Sequence, residues 1–556
     1  MPHEAIAESS LCGTQVPLSC REEAVGVFRQ LPYPASWTSS SSMVALEGLI
    51  IYVKNVFDFD SNEMKLFNMI LSRHHYGGFV LTTVCFFFLF LTSKRLGEWS
   101  IPRPFYRVPS FRYPYDSDQV GANSSTWSGY DTGRPPLRPY DPVCDTFPNV
   151  SNILVVVKTG ASESYAKIPT QLMTNLRCVE DFLLFSDMRQ RIAGFDIHDS
   201  LETVVAEAKE GNADFDLYHR QKACPIDQEN CHFGNGYSSS SEAWNLDKYK
   251  NIHIAEKTYH MRPNYDWYLF IDADSYVLWH NLSQWLPRLD PTKKLYIGSV
   301  TLIGGFRFAH GGSGYLLSQA AMHEFVGSRM GTANRFDARI KDSCCGDYML
   351  GVALNETTGI HVSQAWPTIN GEKPHTMPFG PKEWCNPMVT MHHVNSEEMS
   401  SFWEFEKRFF HSQVSSVTHQ RSLVFKDIYE EFLAAKLQPM RQDWDNLSED
   451  VHYLDPEGEH DQLQLARAKK EGLTTVEKNA HKSFEHCQKM CDKVKDCFQF
   501  SYHSGICAYH KGFLLGKPKK KTDKENERWM SGWAIDKINA WVQKQGQCKE
   551  PVWPKV

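Results

Sequence analysis

Asp266-Trp-Tyr-Leu-Phe-Ile-Asp272-Ala-Asp274-Ser-Tyr276 is an uninterrupted apolar run that ends in two carboxylates one residue apart. A continuous apolar run of this length reads as a strand buried on both faces, as in a parallel sheet. The C-terminal edge of such a sheet is where α/β folds bind ligands. Two carboxylates at that edge form a hard oxygen site for Mn²⁺ or Mg²⁺, and the ion can in turn hold a nucleotide diphosphate. The spacing alone decides nothing, because Asp-x-Asp recurs at Asp58/Asp60, Asp116/Asp118, Asp214/Asp216 and Asp443/Asp445. The strand in front of Asp272 sets this instance apart.

Working outward, Ile153 to Val157 and Phe182 to Phe185 are further apolar strands, separated by a helical stretch from about Ile168 to Val179. An amphipathic helix is expected around Asp247 to Met261, another near Leu282 to Leu286, and a strand at Leu295 to Val300. This alternation predicts one α/β domain over 149–410. Downstream, Phe308-Ala-His-Gly311-Gly312-Ser-Gly314-Tyr-Leu-Leu-Ser318 carries enough glycine to let the backbone approach a ligand, although most such stretches are only turns. Cys344-Cys345-Gly-Asp347 places an acid at the start of an apolar helix, where it reads equally as a cap. In Val389-Thr-Met-His392-His393-Val two imidazoles end a short strand, as cation ligands or as ordinary surface or core histidines.

In this order, the strand with Asp-x-Asp, Gly-Gly-x-Gly-Tyr-x-Leu-Ser, Gly-Asp-x-x-x-Gly and His-His resemble the fringe-like and core β1,3-galactosyltransferase group, glycosyltransferase family 31, and within it the fungal branch. Val156-Val-Lys158-Thr159-Gly160 and Leu184-Phe-Ser186-Asp187 look like that family's first two strands. The resemblance implies a GT-A-like fold and inverting transfer of a hexose from a UDP-sugar to a hydroxyl of a glycan or glycoprotein, through a β1,3-linkage. It implies that Asp272 and Asp274 are the metal motif for Mn²⁺ or another divalent cation such as Mg²⁺, with His392 or His393 a further ligand. It makes Asp347 the general base, places Lys158, Thr159 and Asp187 beside the nucleotide, and makes Gly311, Gly312 and Gly314 the acceptor-side loop. The family often has three acids where this chain has Asp272-Ala-Asp274, and two where it has Gly346-Asp347. These departures keep open a catalytically inactive, lectin-like protein that binds glycans, and a cell-surface adhesion protein is a further alternative.

Around this domain, 556 residues exceed one core, and 59 basic against 66 acidic side chains leave a net charge of −7, with no basic field for nucleic acid. Residues 76–92 are uncharged and long enough for a transmembrane signal anchor, a buried core helix or signal-peptide core being the alternatives. Asn-x-Ser/Thr occurs at Asn123, Asn149, Asn281, Asn355 and Asn446, all after that segment, and twelve of the 15 cysteines follow it too. The asymmetry predicts a single-pass type II protein of the Golgi or endoplasmic reticulum membrane with a lumenal catalytic domain and a cytosolic tail, 1–75, whose start is over-extended. Residues 93–148 read as a Pro-rich stem and 411–480 as a helical connector. Residues 481–550 form a separate cysteine-rich module in which Cys487, Cys491, Cys497 and Cys507 resemble a PAN/Apple domain, a resemblance that implies disulfides; zinc is the structural rival.

Overall fold

The computed structural model describes residues 138–224, 239–413, 420–524 and 527–556, with residues 135, 136 and 228 besides. The expected anchor at 76–92, the cytosolic tail, most of the stem and Asn123 lie outside these residues. Among the described residues no helix is long and apolar enough to cross a membrane. Residues 127–556 belong to one compact unit.

The strands are, in chain order, β1 (Ile153–Lys158), β2 (Phe182–Ser186), β3 (Gln190–Ile192), β4 (Phe195–Asp199), β5 (Trp267–Asp272), β6 (Tyr276–Val277), β7 (Tyr296–Gly298), β8 (Val300–Ile303), β9 (Phe306–Ala309), β10 (Tyr315–Ser318), β11 (Val362–Gln364) and β12 (Thr390–Met391). Then follow β13 (Met440–Gln442), β14 (Trp444–Asp445), β15 (Val451–Leu454), β16 (Gln499–His503), β17 (Ile506–His510), β18 (Lys517–Pro518) and β19 (Met530–Trp533). The central sheet runs β11-β7-β10-β5-β1-β2-β4-β3. It is mixed and mainly parallel: β5, β1, β2 and β4 run together, and β10 is antiparallel to both its neighbours.

Alternation explains why these strands are apolar throughout. Leu154, Val156, Tyr268 and Phe270 enter the core on one face, while Val155, Val157, Leu269 and Ile271 enter a second core on the other. Burying both faces removes any position for a polar side chain until the strand ends. The helix expected from about Ile168 to Val179 runs instead from Ser164 to Met173. Arg138 explains the early stop: its guanidinium donates to the carbonyls of Leu176 at 2.9 Å and Arg177 at 2.6 Å, and to that of Val179. Those acceptors thus find a partner outside a helix. The last part of the expected stem is also folded. The Cys144–Cys178 disulfide ties it down, and the Phe147 ring lies 5.9 Å from that of Trp279.

The cysteine-rich segment is not a separate module. A second sheet, β13-β19-β16-β17-β15, takes two of its five strands from the stretch expected to be a helical connector. Cys487–Cys507 and Cys491–Cys497 are disulfides inside its small core, which leaves those sulfurs no role as zinc ligands. Its other side shares a core with the first domain, in which Phe513, Leu515 and Trp533 pack with Phe379, Trp384, Met388 and Tyr429. Phe379 and Phe513 exchange both backbone hydrogen bonds at 2.9 Å, and the Gly516 amide donates to His375 at 2.7 Å. Cys385–Cys548 adds a covalent link.

Two of the glycosylation candidates are corrected here. Asn281 is fully buried, and its amide donates to the carbonyls of Met388 and Leu423 at 2.6 and 2.7 Å. Asn446 is fully buried too, and donates to Phe500 and Gly532 at 3.1 and 3.2 Å. Neither nitrogen can carry a glycan in this fold. Asn149 is exposed and Asn355 half-exposed.

Candidate active site

The parallel pairing of β1 with β5 sets Lys158 directly beside Asp272 at the C-terminal edge of the sheet. Their side chains form an ion pair at 3.3 Å, and Lys158 makes a closer one, 2.5 Å, with Asp247. Burial alone would lower the Lys158 pKa, yet Asp247 and Asp272 together raise it, so the group is a permanent cation. Asp272 is therefore held by a lysine.

Asp274 is held differently. Strand β6 leaves the Asp-x-Asp turn and pairs antiparallel with β12, in the register Met391 to Tyr276, which brings the residue after β12 alongside the turn. His392 Nε2 lies 3.3 Å from Asp274 Oδ1, and Lys167 Nζ 3.3 Å from Oδ2. Burial pushes the Asp274 carboxyl up, but the hydrogen bond and charge of His392 and the charge of Lys167 outweigh it and hold the group well below the ordinary carboxylate range. Gln171, fully buried, fixes the turn by donating 2.8 Å hydrogen bonds to the carbonyls of Ala273 and Ser275.

Asp274, His392 and His393 each offer one ligand atom within 4.8 Å of the others. One carboxylate and two imidazoles fit a divalent cation such as Mn²⁺. His392 Nδ1 is buried without a hydrogen-bond partner among the described residues, so a single polar contact, Nε2 to Asp274, orients the ring. His393 has a left-handed backbone, φ 59°, that stacks its ring 3.9 Å from that of His392. Both candidate histidines thus join Asp274, whereas Asp272 is outside the cluster.

The glycine turn before β10 backs both the cation cluster and the acid. A Cβ on Gly312 would lie 2.2 Å from the His392 ring, so only glycine admits that imidazole. The Gly311 amide donates to Asp347 Oδ2 at 2.7 Å. Gly314 adopts φ 81°, which glycine tolerates. Gly311 and Gly312 thus shape the floor beneath Asp347 and His392, and Gly314 packs against Ile271 and Thr390.

Asp347 is in the first turn of the helix Gly346–Thr358, and Cys345, not Asp347, occupies the cap position. Burial raises the Asp347 pKa, with His310, the Gly311 and Tyr348 amides and Lys158 offsetting part of the rise. A carboxylate raised in this way and still half-exposed is a competent proton acceptor. Gly346, where the family often has a second acid, has no space for one: a Cβ there would meet the Lys248 carbonyl at 2.7 Å. Cys344 and Cys345 are bonded to each other just ahead of this helix.

Lys158 and Thr159 end β1 as expected, but Asp187 is already engaged. It is 1% exposed, and its oxygens take the Ala161 amide at 2.5 Å and Lys250 at 3.5 Å. It shapes the 159–161 loop. The sequence reading missed Lys250, Asp247, Lys167 and Gln171. Asp247 ends the helix Ser239–Asp247 and Lys250 opens the helix Lys250–Met261, three residues on, and that spacing was their only signal.

No curated protein matches the chain. The glycosyltransferase GlyE of Streptococcus pneumoniae TIGR4 is similar over 47% of this chain and 63% of its own, at 12% identity and a TM-score of 0.24. This chain therefore spans less than two thirds of that relative. The galactosyltransferase LgtC, solved in complex with donor and acceptor sugar analogues, is similar over 45% of this chain and 95% of its own, at 10% identity and a TM-score of 0.23. Residues 149–367, which supply Asp272, Asp274, the glycine turn and Asp347, match the Fringe-like family model, and the chain carries a Fringe-like domain over that segment.

Proposed function

We propose that the protein is an inverting glycosyltransferase that moves a hexose from a UDP-sugar to a hydroxyl of a glycan or glycoprotein, through a β1,3-linkage. The observation that carries this reading is the shared glycine turn, whose Gly312 backs a cation-binding imidazole while Gly311 orients a half-buried carboxylate. Asp274, His392 and His393 would hold Mn²⁺, which when bound neutralises the charge that develops on departing UDP. Asp347 accepts the acceptor's proton as that hydroxyl attacks the anomeric carbon. Lys158 and Lys250 offset the carboxylates of Asp272 and Asp187 at the strand ends where the nucleotide would lie.

The described disulfides, Cys487–Cys507 and Cys385–Cys548 among them, support an oxidising compartment, so the domain would face the lumen of the Golgi or endoplasmic reticulum behind a type II anchor at 76–92. A short helix on an antiparallel sheet stapled by two disulfides supports the PAN/Apple-like reading of the C-terminal module.

One observation favours a second reading. Lys158 and Lys167 already neutralise Asp272 and Asp274, as a protein that binds glycans with no cation would require. A single experiment separates the two: release and transfer of sugar from several UDP-sugars with and without Mn²⁺, for wild type, Asp274→Ala and Asp347→Asn. Transfer is expected to need Mn²⁺ and to fall about 10²- to 10⁴-fold in Asp347→Asn. Glycan binding with no UDP binding in calorimetry would establish the second reading, and unchanged turnover in both variants would remove the residue roles.

A further inference from the structure

A groove of about 650 Å³ runs from the cation cluster to the C-terminal sheet. His393 of the cluster and Lys517 of β18 both line it. The segment after β11 contributes Glu372 and Lys373, and the C-terminal side Glu449, Asp450, Arg467 and Lys517. We propose that this groove is the acceptor subsite, and that its occupant is an extended, uncharged oligosaccharide whose reacting end points to His393. The word acceptor rests on the transferase reading; the groove and its chemistry do not.

Three observations carry the assignment. The volume is within the range of about 300–1,000 Å³ typical of small-molecule clefts, and the groove abuts the cluster where transfer would take place. Three cationic side chains face three acidic ones, and most are matched locally: Arg467 to Glu449, Lys373 to Glu398 at 2.8 Å, and His510 to Asp450 at 3.0 Å. A wall of balanced sign offers donors and acceptors to hydroxyls and carries no net charge to draw in a polyanion or a second diphosphate. The two walls also cannot drift apart, because the Phe379–Phe513 pair and the Gly516 to His375 hydrogen bond join them beside the groove. The C-terminal sheet is on this account half of the acceptor site, and a preformed one.

The test uses the full chain and two series of probes, neutral oligosaccharides of one to six hexose units from glucan, mannan and galactan, and uronic-acid oligosaccharides of the same lengths. Calorimetry measures their affinity, and in parallel that of UDP with Mn²⁺, for wild type, Arg467→Ala and Lys517→Glu. The expected result is a neutral series whose affinity grows with length, with a loss of about tenfold in each variant, the effect of one charge-assisted hydrogen bond, and no change for UDP. Both substitutions are at the surface, so matching melting curves confirm that the fold is intact. No neutral oligosaccharide bound, affinity independent of length, indifferent variants, or uronic-acid chains preferred at every length would each overturn the proposal. If the neutral series behaves as expected but UDP does not bind, the groove stands and the transferase reading falls.

Discussion

The two sheets of this protein solve the same problem by opposite means. The central sheet is stabilised by volume: its strands bury both faces, and two apolar cores enclose β1, β2 and β5. The C-terminal sheet has a small core of its own, stapled by Cys487–Cys507 and Cys491–Cys497, and it completes itself by sharing a second core with the first domain. A small core rarely supplies enough burial alone, so disulfides and a docked neighbour make up the difference. The contrast teaches that a cysteine-rich tail can be structural for the domain it follows.

The largest expected effect tests that dependence. Phe513 is the knot of the shared core, fully buried, with its ring 5.2 Å from Tyr429, 5.7 Å from Trp541 and 6.2 Å from Phe379. Phe513→Ala should cost about 3–5 kcal/mol. Because both sheets share that core, urea denaturation followed by tryptophan fluorescence and by far-UV circular dichroism should give one coincident transition at lower urea. Two separated transitions, with the central sheet melting as in wild type, would show that the C-terminal sheet is an independent module after all.

A second prediction concerns the central sheet's edge and is read in cation affinity rather than in stability. Gly312→Ala puts a methyl group where the His392 ring lies, with only 2.2 Å between them. The imidazole must swing away from Asp274, and Mn²⁺ affinity measured by calorimetry should fall about 10- to 100-fold, the order seen when the support of a metal ligand is lost. Gly305→Ala, where a left-handed backbone of φ 82° strains any side chain but nothing lies within 4 Å of the added methyl group, is the control for strain away from the cluster and should bind Mn²⁺ as wild type. Equal affinity in Gly312→Ala would mean that His392 does not ligate.

The same contrast governs what could be read from the sequence. The strand ending in Asp272 was legible because an apolar run buried on both faces has one plausible place in a fold. Asp274 and one histidine of the His392-His393 pair were legible as a set from the order of the motifs, and the structure brings both histidines to Asp274. Asp272 was grouped with them and lies outside the cluster, since its partner Lys158 is more than a hundred residues away in sequence and only the β1–β5 register reveals it. Asn281 and Asn446 matched a surface signal but satisfy buried carbonyls, and a three-residue pattern holds no information on burial. The C-terminal boundary was misplaced for a related reason: β13 and β15 are short and find their partners, β19 and β17, some 50 to 90 residues downstream, so no local periodicity marks them.

The smallest effect is also the most specific to the central sheet. Asp347 must lose its proton to act as a base, and burial raises its pKa above the ordinary value of about 3.9. As pH falls through that raised value the carboxylate is protonated, so the acid limb of kcat/KM should sit higher than that of an ordinary aspartate. Lys158 opposes the rise, since its positive charge favours the carboxylate. Lys158→Met removes that charge and should move the limb further up, by about half a unit to one unit, whereas Lys158→Arg keeps the charge and should leave it in place. The pH–rate profiles of the three proteins check the sign. A limb that moves down in Lys158→Met, or moves equally in both variants, would mean that the titrating group is not Asp347, and that the base must be sought outside the turn formed by Gly311 and Gly312.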